Sequence, residues 1–282
     1  MSLLLGLVVA ASFGSGDFLG GVASKRARTI AVLITVQLCA LVGALVFAAI
    51  AGGDPHGGDF ALGALGGVLN VAALGCLYQG LAVGRAGLVA PVAAVVGSVI
   101  PVAWGLASGE DPTTAALIGV VLAVVAGGLI SAEGGEHPTS RVGNRSALVL
   151  ALLAGVGFGL SFVCYGNTRD ASEFWPVFSG RVAAVIAVVV VAAVLHISPR
   201  LDRVARTQAI GAGALDVLAT ALLLVAVRNG LFSTVAPVAA LGPAFTVGHA
   251  WWHLKEQPSR IQIAGLVIAV TGLALIAVGA SS

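Results

Sequence analysis

Charged side chains are scarce in this sequence, because Asp, Glu, Lys and Arg make up only 9% of its 282 residues. Soluble globular domains carry roughly a quarter. So few charges do not cover a water-facing surface, and 59% of the residues are hydrophobic. We therefore expect lipid to cover most of the exterior. The sequence also lacks a basic stripe interleaved with aromatic residues, which excludes nucleic acid as an expected partner.

Cysteines and nucleotide-binding motifs are also few or missing. The three cysteines, Cys39, Cys76 and Cys164, lie inside apolar runs, so we interpret them as small buried hydrophobes and expect no disulfide framework. A P-loop is absent, which excludes a nucleotide-powered pump. We expect no cofactor and no metal site: His249 and His253 lie four apart on one helix face, but no third ligand is evident.

Long apolar runs dominate what is present. A spanning helix needs about 20 mostly apolar residues, and the breaks between the runs are rich in Gly and Pro. The pattern predicts an all-α membrane protein with ten transmembrane helices, near 3–23, 29–51, 60–83, 87–107, 114–132, 146–166, 173–195, 207–228, 231–252 and 259–279.

The two halves of the sequence resemble each other. An offset of 146 residues places Val89–Ala94 on Val235–Ala240, and it places Glu110 and Pro112 on a second Glu-x-Pro. Matched prolines and glutamates at one spacing indicate an internal repeat. We predict a first five-helix repeat over 1–132, a connector over 133–145 and a second five-helix repeat over 146–282.

The distribution of lysine and arginine predicts the orientation. The odd-numbered connections between the predicted helices hold eleven of these residues, whereas the even-numbered connections hold two, Arg169 and Arg228. Because cytoplasmic loops carry the excess of positive charge, the odd connections are predicted to be cytoplasmic. With five helices per half, the second repeat enters the membrane from the opposite side. Ten helices then place both termini outside. We expect a multi-pass protein of a bacterial inner (cell) membrane.

Three ionisable side chains lie deep in the apolar runs: Asp17, Arg181 and Asp216. A charge at the centre of a spanning helix costs at least ~2.5–3.5 kcal/mol, so such residues usually face a cavity or a partner. In the repeat, Asp216 matches Asn70 at the offset of 146, and Arg181 matches Gln37 at an offset of 144, near which the first helices of each half align. These five residues are our candidates for substrate binding or proton coupling. The alternatives are a structural ion pair between Asp216 and Arg181, and an interfacial position for Asp17.

Other polar and aromatic residues of the apolar runs are candidates for cavity lining, namely Tyr78, Gln79, Trp104, Ser161, Tyr165, Thr220 and His249. Prolines within helices four and nine free backbone carbonyls, and matched helix interruptions often mark a transporter's binding site. The predicted interruptions lie at Pro91, Pro101, Pro237 and Pro243.

Three motifs recur in order in both halves. They are Ala90-Pro91 and Ala236-Pro237 at the start of helices four and nine, the Glu-x-Pro before helices five and ten, and Phe13-Gly14 and Phe158-Gly159 early in helices one and six. Together they resemble the drug/metabolite transporter superfamily, in its ten-helix EamA-type branch. This resemblance implies inverted repeats around a central midplane cavity and alternating access as the mechanism.

These observations favour a secondary active transporter, not an enzyme, and we predict proton-coupled export of a small polar metabolite such as an amino acid or amine. One alternative is multidrug efflux of lipophilic cations, which the aromatic content of 6% disfavours. A more distant one is a non-transporting membrane scaffold. Another is an intramembrane enzyme, for which Ser15 lacks a histidine expected to reach it. The expected partners are a small-molecule substrate, a proton and the lipid bilayer, with monomer and homodimer both left open.

The charge distribution makes a testable prediction about topology. Alkaline phosphatase fused after Ser282 is expected to be active, because the predicted C-terminus lies outside, where this reporter folds. Green fluorescent protein fused at the same residue should be dark. The same reporters fused after Arg85, in a predicted cytoplasmic connection, serve as the control and should give the opposite pattern in intact cells. An inactive phosphatase after Ser282 would contradict the predicted orientation.

Overall fold

The computed structural model describes residues 2–109, 113–132, 141–228, 242–255 and 259–279. Within them the regular secondary structure is helical, which confirms the predicted all-α fold. A short 3₁₀ turn at Asp170–Ser172 precedes the seventh helix. The α-helices are α1 (Ser2–Arg26), α2 (Thr29–Ala51), α3 (Gly57–Val83), α4 (Ala86–Ala107), α5 (Thr114–Ala132), α6 (Arg141–Gly166), α7 (Trp175–Val194), α8 (Arg203–Arg228), α9 (Gly242–Leu254) and α10 (Arg260–Gly279).

Five of these helices are long and apolar enough to cross a membrane by length and composition. They are α1, α2, α3, α6 and α7. Shorter apolar helical stretches lie at Ala86–Ile100 in α4 and at Ile263–Leu275 in α10. The prediction of a multi-pass membrane protein is supported at this level, whereas ten spans and their inversion stay predictions.

Helices from the two halves of the chain interleave. α1 packs on α8 and α9, α3 packs on α6 and α7, and α2 packs on α7 and α8. α4 packs on α6, and α5 packs on α10. The shared core consists mostly of small and branched side chains, alanine and valine above all. Because each half contributes to the same core, a polar group on one half lies close to groups of the other.

Glycines allow two of these helix pairs to approach at backbone distance. A Cβ added to Gly67 in α3 would overlap the backbone of Gly180 in α7, and one added to Gly14 in α1 would overlap the carbonyl of Gly242 in α9. Small residues at helix contacts are a common means of close packing in membranes. The contact between Gly67 and Gly180 holds the start of α7 against α3 and so positions Arg181, the next residue along the chain.

The structure differs from the predicted helices at the prolines and the connector. α4 runs as one α-helix through Pro91 and Pro101, so it is not discontinuous there, and a kink at these prolines stays a prediction. Each proline removes only one backbone hydrogen bond, and neighbouring bonds keep the helix continuous. Pro243 lies in the first turn of α9, where no intrahelical donor is needed. Pro237 lies outside the described residues. α6 begins at Arg141, inside the predicted connector.

The close approach of α3 and α7 predicts the effect of adding one methyl group. Gly67→Ala is expected to destabilise the protein by about 1–3 kcal/mol, because overpacking forces the two backbones apart. Gly248→Ala is the matched control: it also lies inside a helix, but an added Cβ meets nothing within 4 Å. Thermal unfolding of the purified variants in detergent measures the difference. Equal melting temperatures for both would show that the contact is not tight.

Candidate functional site

A polar cluster joins three helices in the apolar interior. Arg181 Nη2 of α7 donates a hydrogen bond of 2.7 Å to Asp216 Oδ2 of α8. Arg181 Nη1 donates one of 3.1 Å to Gln37 Oε1 of α2. The side chains of the ion pair are 13% and 25% exposed, so most of both charges is withdrawn from solvent. The ion pair between Asp216 and Arg181, which was one of the predicted alternatives, is therefore present in the structure. Gln37 accepts a hydrogen bond from the same arginine.

Gln37 contributes a donor that is not used. Its side chain is 0% exposed, and among the described residues Nε2 has no hydrogen-bond partner. A buried polar group without a partner costs about 1–3 kcal/mol. The amide therefore offers a hydrogen bond to an acceptor that comes from outside the described chain, such as a ligand atom or water.

Asp17 of α1 adds a second carboxylate beside this cluster. Its carboxyl group lies close enough to Asp216 for the two to interact electrostatically. It makes no hydrogen bond or ion pair with the residues that the structure describes. With both carboxylates ionised, Asp216 and Asp17 supply two negative charges, and Arg181 supplies one positive charge. The site then carries an excess of one negative charge.

Two tyrosines border the charged residues. Tyr78 of α3 is buried, its ring packs against Gly20 of α1, and it lies within electrostatic reach of Asp17, Asp216 and Arg181. The hydroxyl of Tyr165 lies against Gly180 and interacts electrostatically with Arg181 and Asp216. The sequence predicted both as cavity lining, and the structure places both next to the cluster.

A small cavity adjoins the ion pair. Thr220 lies on its wall and donates its hydroxyl to the carbonyl of Asp216, one turn earlier in α8. Apart from the ion pair and one hydroxyl, the side chains that line the cavity are apolar. The lining residues are Ala40, Ala44, Phe47, Phe174, Val177, Arg181, Asp216, Val217 and Thr220.

Asn70 is a sequence candidate that the structure does not bond to the cluster. It is partly buried in α3, and no hydrogen bond joins its amide to Asp216 or to another described residue. The predicted symmetric pair of Asn70 and Asp216 is therefore not a bonded pair.

Three predicted lining residues have other surroundings. Ser161 is buried in α6 and donates to the carbonyl of Gly66, so its hydroxyl joins α6 to α3. Gln79 is exposed near the end of α3 and accepts a hydrogen bond of 2.6 Å from Thr29. Trp104 is half exposed in α4. Each lies at a helix contact or at the protein surface.

His249 forms a contact that the sequence did not predict. Its Nε2 lies 2.8 Å from Ser15 Oγ, and its ring stacks on Phe18 and on His253. The expectation that no histidine reaches Ser15 is therefore wrong, because the contact of Gly14 with α9 brings residues 234 positions apart together. A hydrolase also needs a group that orients the histidine and donors for an oxyanion. No hydrogen bond from a described residue holds the other ring nitrogen of His249.

A second polar network links the connection between α2 and α3 with the connection between α6 and α7. Asp59 is 5% exposed and accepts hydrogen bonds from Arg169 Nε at 3.0 Å, from Arg169 N at 3.3 Å and from Ser172 Oγ at 2.6 Å. Sequence reasoning missed this network. The available signal was an acid and a base in the second and sixth connections, which the charge distribution predicts on the same side of the membrane.

Comparison with known proteins yields one family and one relative. Residues 145–278 match the EamA-like transporter family. The uncharacterized protein MJ1333.1 of Methanocaldococcus jannaschii is 28% identical over 141 residues, a match that covers 47% of this chain and 97% of that protein. That relative is therefore about half as long as this chain.

The geometry of the ion pair predicts unequal effects on stability. Arg181→Gln is expected to destabilise the protein by about 3 kcal/mol or more, because it leaves two neighbouring carboxylates without their counter-charge. Asp216→Asn should cost less, since the asparagine oxygen can still accept a hydrogen bond from Arg181 and the repulsion between residue 216 and Asp17 is removed. The double variant should be more stable than Arg181→Gln. Arg206 is exposed, so Arg206→Gln is the control. In chemical unfolding, its free energy of unfolding should stay within about 0.5 kcal/mol of that of the natural protein. Additive losses would show that the residues are not coupled.

Proposed function

Residues 145–278 form an EamA-like transporter domain, which places the protein in the drug/metabolite transporter superfamily, and from this premise we propose a secondary active transporter of small polar solutes. The observation that carries the proposal is the buried cluster of Arg181, Asp216 and Gln37. Ionised and hydrogen-bonding groups at membrane depth usually line a substrate or ion pathway. The same cluster belongs to helices of both halves, whose relative movement is what alternating access requires.

The pattern of helix contacts supports two structurally equivalent halves. If each helix is replaced by the helix five positions away in the chain, the pair of α1 and α8 corresponds to the pair of α6 and α3. In the same way, the pair of α3 and α7 corresponds to the pair of α8 and α2. All four pairs are in contact. The close approach of Gly67 to Gly180 has a counterpart in Gly213, which lies against Val36. A relative of half this length, matched almost end to end, also supports a five-helix unit.

The substrate site that we propose takes a small solute with a positive group and a hydrogen-bond acceptor. Asp17 supplies the carboxylate that lacks a hydrogen bond within the described chain, and Gln37 supplies the unused amide donor. Amines and amino acids carry such groups. The hydrogen-bonding groups of the site are hydroxyls, an amide and charges, and only 6% of the whole sequence is aromatic, which favours small polar solutes over lipophilic cations.

Proton coupling follows from the excess of one negative charge. A proton and a cationic solute both neutralise that charge, so binding of one disfavours binding of the other. We propose that this competition couples an inward proton gradient to solute export. Asp17 is the proposed site of exchange, because Asp216 is already held by Arg181 at 2.7 Å.

A ligand screen followed by counterflow tests the proposed function. Purified protein is mixed with amines, amino acids and lipophilic cations, and compounds that raise the melting temperature are then tested for exchange in proteoliposomes. We expect stabilisation by small amines or amino acids and exchange of the same compounds. Exchange of lipophilic cations alone would support multidrug efflux instead. If no stabilising compound is exchanged, the proposed function is wrong.

Substitution of Asp17 separates coupling from folding. Asp17→Asn is expected to reduce proton-driven solute accumulation in vesicles by more than about tenfold, because a neutral amide does not exchange a proton. Asp202→Asn is the matched control: this carboxylate caps the start of α8 by accepting from Ala205 N, outside the cluster. Its transport should be unchanged. Full accumulation by Asp17→Asn would remove this residue from the proposed mechanism.

A further inference from the structure

We propose that Asp59, Arg169 and Ser172 form a latch that closes the cavity of the ion pair on the side of the even-numbered connections. This inference rests on the proposed transport function and adds the element that controls access to the site. The latch joins the first half of the chain, through the start of α3, to the second half, through the segment between α6 and α7.

The latch is bonded at several points. Asp59 accepts from both the backbone and the side chain of Arg169, and from Ser172. Asp54 N donates to the carbonyl of Ala171 at 2.8 Å. At the start of α7, Trp175 Nε1 donates to the carbonyl of Gly52 at 2.9 Å. These bonds all connect residues 52–59 with residues 169–175, so one segment cannot separate from the other without breaking them.

Phe174 connects the latch with the cavity. It follows the latch residue Ser172 by two positions, is buried, and lines the cavity beside Arg181 and Asp216. Its ring meets Phe47 of α2 edge-on, with ring centroids 6.1 Å apart. An aromatic contact between the two halves thus adjoins the site, and its position depends on the segment that the latch holds.

The backbone between the latch and the aromatic contact adopts a conformation that is disfavoured for residues with a side chain. Glu173 has φ 47°, in the left-handed region that residues with a Cβ seldom occupy. Such conformations persist where surrounding contacts enforce them, and they are common at switch segments. Release of Asp59 from Arg169 and Ser172 removes contacts that hold this turn. The turn can then relax and withdraw Phe174 from the cavity.

A single-cysteine reporter in the cavity tests the latch without measuring transport. Ala44→Cys is introduced after the native cysteines are replaced by alanine. A membrane-impermeant maleimide is then applied to right-side-out and inside-out vesicles. With the latch intact, labelling from the even-connection side is expected to be slow. Asp59→Asn should accelerate it by about tenfold or more, since it removes the charge of the buried carboxylate that holds Arg169. Asp202→Asn is the matched control and should leave the rate unchanged.

Further variants keep the test decisive. Ser172→Ala removes one bond without changing charge and should give a smaller acceleration, which serves if Asp59→Asn does not fold. Arg169→Gln should resemble Asp59→Asn, and the double variant should label no faster than either. Unchanged labelling in the folded variants would overturn the latch but leave the proposed function standing. If the latch variants label faster but the protein exchanges no solute, the latch is supported and the proposed transport function is wrong.

Discussion

The pairing of Arg181 with Asp216 is the interaction on which the interior of this protein depends. Charges in a lipid-covered fold usually face a partner or a cavity. This pair draws α7 and α8 together, and Gln37 adds α2 from the other half of the chain. The position of Arg181 in turn requires Gly180, whose lack of a side chain lets α7 approach α3 and leaves room for the hydroxyl of Tyr165. One charged contact therefore fixes helices of both halves around the cavity.

Much of this fold was predictable because hydrophobicity alone determines where spanning helices begin and end. The predicted helix at 29–51 coincides with α2, and the predicted helix at 114–132 coincides with α5. Charge in an apolar run was equally informative, since Asp17, Arg181 and Asp216 all lie at one cluster. The prolines do not end α4, because a helix that lacks one backbone hydrogen bond per proline stays continuous when neighbouring helices hold it.

The remaining contacts were not predictable, because they depend on how helices far apart in sequence are rotated against each other. Ser15 meets His249 only because Gly14 lets α1 approach α9. Asp59 meets Arg169 across two connections that the sequence analysis treated as loops. Arg169 is one of only two basic residues that the sequence places in the even connections, and it pairs with Asp59 at 3.0 Å.

The central cluster also explains why two similar halves carry different charges. In the predicted repeat, Arg181 corresponds to Gln37, and these two side chains touch at 3.1 Å. Residues that meet each other's counterparts at a twofold axis cannot both be charged with the same sign, because two guanidinium groups in contact repel each other. The predicted equivalence of the two halves is therefore compatible with one charged and one neutral residue at this contact. Asp17, which has no hydrogen bond among the described residues, is the carboxylate to which we assign the proposed exchange of proton and solute.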